Sequence, residues 1–421
     1  MTLAATARTA VLSPAGRRRV LATLCVTEIT SWGVLYYAFP VLASAIGAST
    51  GWPSAWVVGA FSLSQLVAAV IGVPVGRWLD RHGPRGVMTA GSVLGVLAVV
   101  AIAAAQDVPW FCGAWLLAGV AMGAVLYPPA FAALTRWYGS RRVAALMVVT
   151  LAGGLASTVF APLTAVLAEH LDWRRTYLAL AVVLAVVTIP GHLWGLRGPW
   201  PDATTGGPHA GTRPQPPDPA GIARSRAFLA LVVALGLGAF AAYAVVINLV
   251  ALLTERGLDT RTAAVARGVG GAGQVLGRLG YGVLHRRTSV LTRTALILAA
   301  TSATTVVLAV VTSVAALIAA AVLAGMARGV FTLLEATAVT DRWGPRHYGR
   351  LTGLLAAPLT LTTAAAPWIG TLIAGWLGAY SGMFLALAVV NAVGVGFAFA
   401  ATPRGARGAP STTSTRARPT P

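Results

Sequence analysis

Lysine is absent from this 421-residue chain, so all 31 basic residues are arginine. Cysteine is nearly absent, with 2 residues, and the acidic residues number only 11. Charged side chains make up 10% of the chain, where a soluble globular domain carries nearer one quarter. An ordinary water-exposed surface is thereby excluded. Cys25 and Cys112 both fall in apolar stretches, so neither a disulfide framework nor a metal site is indicated, and both read as packing residues. The six histidines lie mostly in loops or at helix ends, without the spacing of a metal cluster. No nucleophile–base constellation or cofactor loop is found, so enzymatic chemistry is not expected and no cofactor is called for.

Apolar residues fill the gap, at 57% of the chain with a mean hydropathy of +0.76. Runs long enough to cross a bilayer as helices lie near 20–46, 54–79, 87–105, 109–134, 143–169 and 175–196. Six more follow near 227–254, 261–284, 288–312, 314–339, 351–376 and 380–401. The expectation is an all-α membrane protein of twelve transmembrane helices. The first run, after Arg17-Arg18-Arg19, is too long for a signal peptide and reads as an uncleaved first helix.

A net charge of +20 suggests nucleic acid only until its distribution is read. Arg174, Arg175, Arg256, Arg261 and Arg267 fall in one set of loops, and Arg278 and Arg328 lie within spans. Every other arginine belongs to the opposite loops, the N-terminal arm or the tail. That asymmetry follows the positive-inside rule and predicts a plasma membrane of bacterial type with both termini cytoplasmic. The predicted partners are the bilayer and a small molecule, not nucleic acid.

Residues 198–226 are rich in Pro, Gly and Thr and read as a cytoplasmic linker between a bundle over 20–197 and a second over 227–401. Residues 1–19 form a basic arm, and 402–421 a basic tail of disordered composition. The two bundles are copies. Ala118-Gly119-Val120-Ala121-Met122-Gly123 recurs 206 positions later as Ala324-Gly325-Met326-Ala327-Arg328-Gly329. Thr135-Arg136-Trp137 recurs as Asp341-Arg342-Trp343, and Tyr37-Ala38 as Tyr243-Ala244. Where the copies differ, charge was added: Arg328 faces Met122 and Glu335 faces Pro129. Ionised residues within spans are costly and mark function by default.

Between the second and third spans stands Gly76-Arg77-Trp78-Leu79-Asp80-Arg81-His82-Gly83-Pro84-Arg85. Gly76 allows close helix approach. Asp80 suits the positive N-terminal end of a facing helix. Arg81 and Arg85 are placed to bridge to carboxylates or lipid phosphates, and Gly83 makes the turn. In the second half His285-Arg286-Arg287 keeps the charge without a carboxylate, so any latch there is expected to be degenerate.

This loop resembles the G-x-x-x-D-R-x-G-x-R signature of the major facilitator superfamily. The resemblance implies two pseudo-symmetric six-helix bundles with a substrate site between them near the midplane. Tyr37-Ala38-Phe39-Pro40, Gly51-Trp52-Pro53-Ser54 with Phe61-Ser62-Leu63, and Leu134-Thr135-Arg136-Trp137-Tyr138 resemble the monocarboxylate-transporter family within it. In that family a lysine follows the first-helix proline, where this chain has Val41. An acid and an arginine four residues on engage the substrate in the eighth helix, where this chain has Gln274 and Arg278. The arginine is kept and the acid is gone.

Arg267, Gln274 and Arg278 share one helical face over roughly 16 Å. A polar stripe of that kind must face protein or a water-filled cavity. A guanidinium suits a carboxylate through bidentate hydrogen bonds, and the competing reading is a structural bridge from Arg278 to Glu335 or Glu28. Arg278, Arg328, Gln274, Tyr127, Tyr37 and Asn248 are the substrate-binding candidates, with Tyr36 and Trp32 as further lining residues. Glu335 and Glu28 are proton-coupling candidates, each weighed against structural pairing. Pro128-Pro129 should interrupt the fourth helix. The predicted function is secondary transport of a small, monocarboxylate-like anion, with a co-transported proton. The alternative is efflux of a drug or natural product, against which stands the lack of an arginine before Gly119.

Overall fold

The computed structural model describes residues 12–200, 219–258, 260–345 and 347–401, and those residues form helices joined by short turns, with no strand among them. Rod α1 comprises Pro14–Trp32, a π-helical turn Gly33–Tyr37, and Ala38–Thr50. Rods α2 (Ser54–His82) and α3 (Pro84–Ala104) follow. Rod α4 is Val108–Val125 with Tyr127–Tyr138, and α5 is Arg142–Gly154 with Ala156–His170. Rod α6, Trp173–Pro190, ends in a second π-helical turn, Gly191–Gly195. The second half holds α7 (Arg226–Glu255), α8 (Thr260–Arg287), α9 (Val290–Val310), α10 (Val314–Trp343), α11 (Tyr348–Leu377) and α12 (Tyr380–Ala400). Nine described stretches are long and apolar enough to cross a membrane, one of them, Val108–His170, covering both α4 and α5.

Short polar side chains start the rods. Ser13, Asp107, Asp172, Ser225, Ser289 and Ser313 each accept a backbone N–H of the first turn. Such a cap is worth about 1 kcal/mol. Asp172 also lies 3.4 Å from the Arg175 guanidinium, a local pair at an exposed turn. The break in α4 falls at Leu126, whose backbone is extended. Pro128 and Pro129 then occupy the first turn of the new segment, where their missing N–H groups have no acceptor to lose.

The duplication is visible in how rods cross. Hydrocarbon chains offer helices no hydrophobic gain on association, so small residues that let backbones touch carry the packing. A Cβ on Gly119 would overlap the Ser64 carbonyl, and one on Gly325 would overlap the Gly270 carbonyl. Gly123 faces Ala68 as Gly329 faces Gln274. Each member of these α2–α4 contacts reappears 206 positions on in the α8–α10 contacts. The repeated Ala-Gly segment is therefore the crossing motif of both halves.

Buried apolar residues form three clusters. One lies at the end that carries both ends of the described chain, and it joins the halves through Leu79, Leu134, Leu146, Leu334, Tyr348 and Leu351. The other two lie towards the far end and each stays within one half, residues 34–184 and 241–387 respectively. Among the described residues the halves thus share a core only on the terminal side.

The expected linker differs at its ends from a segment that buries nothing. Trp200 packs on Trp137 with ring centroids 5.3 Å apart, and the Arg136 guanidinium lies 4.6 Å over its ring. Pro219–Ala223 is a short helix with Ile222 buried. The rest of that linker, 201–218, lies outside the described residues, as do 1–11 of the arm and 402–421 of the tail.

Gly277→Val would push a branched side chain into the Met326 backbone and should lower stability by about 1–3 kcal/mol. At Gly280 a Cβ would meet nothing within 4 Å, so Gly280→Ala should leave stability unchanged or raise it by up to about 1 kcal/mol. Thermal unfolding of the detergent-solubilised protein separates the two.

Candidate functional site

The π-helical turn in α1 builds one wall of the site. In a regular α-helix, residues five apart point about 140° away from each other. The wider turn over Gly33–Tyr37 turns Tyr37 back toward Trp32, with ring centroids 6.3 Å apart. Tyr36 lies 5.3 Å from Trp32 and 5.2 Å from Tyr37. Gly33 makes the turn feasible, because the Phe160 ring occupies the space a Cβ would need. From α4, Tyr127 adds its ring 5.1 Å from Trp32. The opposite wall carries Tyr243, the counterpart of Tyr37, which is 43% accessible although it lies deep in the molecule. Deep yet accessible side chains line an interior chamber.

Two guanidiniums face this chamber. Arg278 is 5% exposed and donates from Nη1 to the Thr150 carbonyl oxygen of the opposite half at 2.7 Å. Among the described residues its Nε has no hydrogen-bond partner. Gly154 admits it, since a Cβ there would sit 2.6 Å from Nη1. The α5 break at Leu155, just past Gly153-Gly154, puts this approach where the rod changes segment. Tyr127 donates its hydroxyl to the same Thr150 oxygen at 3.4 Å. Arg328 lies with its guanidinium 5.7 Å from the Tyr243 ring centroid, within electrostatic reach of Tyr36, Tyr37 and Arg278.

The proposed structural bridges are not made. Among the described residues, neither Arg278 nor Arg328 has a carboxylate within 4.0 Å. Glu28 is fully buried in α1, where its neighbour for interaction is the Trp32 indole one turn on and not an arginine. Glu335 lies deep in α10 but is partly accessible, within electrostatic reach of Tyr243. Asn248 stands apart from this group. It is buried, donates to the Ala244 carbonyl at 2.9 Å and packs on Gly370 of α11. Gln274 is half-buried, with its backbone pressed against Gly325 and Gly329. The sequence stripe thus contributes Arg278 at the chamber, while Gln274 marks the α8–α10 seam. What sequence reading missed was Thr150 and Gly154; the Gly153-Gly154 pair was their only signal.

The loop signature sits at the terminal side. Asp80 accepts the backbone N–H groups of Gly349 (3.1 Å) and Arg350 (3.0 Å), placing a carboxylate on the N-terminal end of α11. Gly76 lets α2 and α11 cross, because a Cβ would overlap the Gly349 carbonyl. Arg136 donates to the Asp80 carbonyl at 2.8 Å and lies 3.7 Å from its carboxylate. Gly83 turns the chain at φ +80° and abuts Trp200. Arg81 is exposed, and Arg85 serves a backbone acceptor instead of a carboxylate, donating to the Leu193 carbonyl at 2.8 Å.

The second half corrects the expectation of a degenerate latch. Its carboxylate comes from α10 and not from the loop. Asp341 accepts Arg293 at 2.5 Å and Arg142, from the opposite half, at 2.9 Å, with His285 3.8 Å away. Sequence could not show this, because the acid lies 56 residues from His285. Asp341→Asn would leave Arg142 and Arg293 facing each other without a counter-charge. Spin labels at Ser140 and Ser289, both exposed on that side, should then move apart; an unchanged distance distribution would show that the ion pair does not hold the halves together.

Comparison with known proteins fits this geometry. The family model of the Major Facilitator Superfamily matches residues 21–313. Monocarboxylate transporter 13 of Bos taurus is 28% identical over 263 residues, 61% of this chain and 57% of its own. Monocarboxylate transporter 11 of Mus musculus is 34% identical over 237 residues, 55% of this chain and 50% of its own. The matched segments thus span about half the length of these relatives. In fold, the E. coli fucose:proton symporter FucP aligns with a TM-score of 0.70 at 14% identity, over 91% of this chain and 98% of that one. The human organic anion transporter MFSD10 aligns with a TM-score of 0.70 at 16% identity, over 92% and 100%. The chain belongs to the Major Facilitator Superfamily and, over part of its length, is similar to the monocarboxylate transporters.

Proposed function

We propose that this transporter moves a small organic anion of monocarboxylate type across a bacterial-type plasma membrane by alternating access. The observation that carries the reading is the pair Arg278 and Arg328, two guanidiniums on one chamber with no carboxylate within 4.0 Å among the described residues. Positive charge in a low-dielectric interior is costly unless something pairs with it. A substrate carboxylate supplies that pairing, and the planar fork of arginine matches it. The monocarboxylate relatives support the same substrate class.

With the termini in the cytoplasm, the shared terminal-side core, Asp80 and Asp341 close the inner side, and the chamber opens outward. Substrate binding then has a direct route to the conformational change. Arg278 clasps α5 through the Thr150 carbonyl. A carboxylate is a stronger acceptor than a neutral carbonyl, so it draws the guanidinium away from α5 and frees the halves to rock. The proton is assigned to Glu335, which is deep, partly accessible and, among the described residues, without a salt bridge. Glu28, sealed within α1 and its neighbours, has no comparable access.

Arg278→Gln removes both the anion contact and the clasp. In proteoliposomes it should raise the half-saturating concentration of an anionic substrate at least about tenfold, the loss expected for a charge-assisted hydrogen bond. Retention of wild-type uptake would sink the anion site. Gly154→Ala, which displaces Nη1 while keeping the charge, should lower the transport rate more than the binding affinity. Glu335→Gln should keep substrate exchange and lose accumulation driven by an imposed pH gradient; intact accumulation removes Glu335 as the proton carrier.

A further inference from the structure

The arginines account for one end of the substrate, and the chamber walls describe the other. Trp32, Tyr36 and Tyr37 of α1 and Tyr127 of α4 form a continuous set of rings, with neighbouring centroids 5.1–5.3 Å apart along the chain Tyr127, Trp32, Tyr36, Tyr37. Tyr36 is backed by Phe61 at 5.2 Å, and Phe61 stacks on Phe39 at 4.4 Å, which fixes the wall from behind. Tyr243 faces this wall from the other half, beside Arg328. The duplication makes Tyr37 and Tyr243 equivalents, so each half presents a ring to the space between them.

Beyond its tyrosine hydroxyls, such a wall has few partners for a short, heavily hydrated anion. Tyr127 already spends its hydroxyl on the Thr150 carbonyl. A flat apolar body gains most here, since aromatic faces reward offset stacking and edge-to-face contact beyond the area they bury. Aromatic cages also bind organic cations, but Arg278 and Arg328 lie within electrostatic reach of the same rings and repel them. The combination of rings and guanidiniums without a carboxylate partner selects for a ring and a carboxylate on one molecule.

Resting on the anion reading above, we infer that the substrate class is a planar aromatic or conjugated monocarboxylate, its carboxylate held by Arg278 and Arg328 and its ring lodged between Trp32, Tyr127 and Tyr243. Short aliphatic acids fill only the charged end. Trp32 is the chief specificity residue, because it touches Tyr36, Tyr37 and Tyr127 at once. Its indole N–H points to the Glu28 carboxylate one turn earlier, which leaves the ring faces free to pack.

The test is calorimetric binding to the purified full-length protein in detergent, with acetate, phenylacetate and phenylacetamide as probes. Phenylacetate should bind at least about tenfold more tightly than both acetate and phenylacetamide. Trp32→Leu should weaken phenylacetate about tenfold and lower the ratio of phenylacetate to acetate affinity, while Trp32→Phe, which keeps a ring, restores most of that ratio. If Trp32→Leu does not fold, Tyr243→Leu makes the same comparison from the opposite wall. Equal affinity for acetate and phenylacetate overturns the aromatic class and leaves the anion site standing. Phenylacetamide binding as well as phenylacetate, or no carboxylate binding at all, overturns the anion site and this inference together.

Discussion

Backbone contact between helices at small residues is the interaction on which the rest of this structure depends. In a bilayer, apolar side chains gain nothing by leaving lipid for protein, so tight packing must come from close approach. The glycines at 119, 123, 325 and 329 supply it twice, in α4 against α2 and in α10 against α8. Once those pairs are set, the residues beside the glycines are aimed by geometry and not by their own preference. Met122 turns into the first half, with its sulfur 3.4 Å from Gln65, whereas its counterpart Arg328 stands at the chamber over Tyr243.

The same logic explains where symmetry ends. Gly72 and Gly76 of α2 meet Gly353 and Gly349 of α11, which closes one inter-half crossing backbone to backbone. The equivalent of Gly72 in the second half is Arg278. At that crossing a long charged side chain takes the place of a glycine, and the α5 break with Gly154 makes room for it. One inter-half seam is thus glycine packing, and its twin is held through the Arg278 guanidinium on the Thr150 carbonyl.

The terminal-side closure shows one physical end reached by two routes. Asp80 binds backbone N–H groups at the start of α11, a contact that uses the helix dipole. Asp341 gathers Arg293, Arg142 and His285, a contact that uses formal charge. Both carboxylates are largely withdrawn from water, where such pairing is screened least.

Much was legible in the residues themselves. Hydropathy and the repeat at 206 determined a duplicated, all-helical membrane protein, because length and burial in a bilayer leave few alternatives. Arg278, Arg328 and Glu335 stood out because charge within a span is costly wherever it points. Pointing is what only the tertiary structure decided. It gave Asn248 to the α7–α11 seam, joined Arg278 to Thr150 across the halves, and supplied the second latch from Asp341. It also widened one turn of α1 so that Trp32, Tyr36 and Tyr37 share a face, which no periodicity of 3.6 predicts. Composition tells which side chains are expensive to bury; which neighbours they meet depends on how rods cross, and that is set by contacts between residues far apart in the chain.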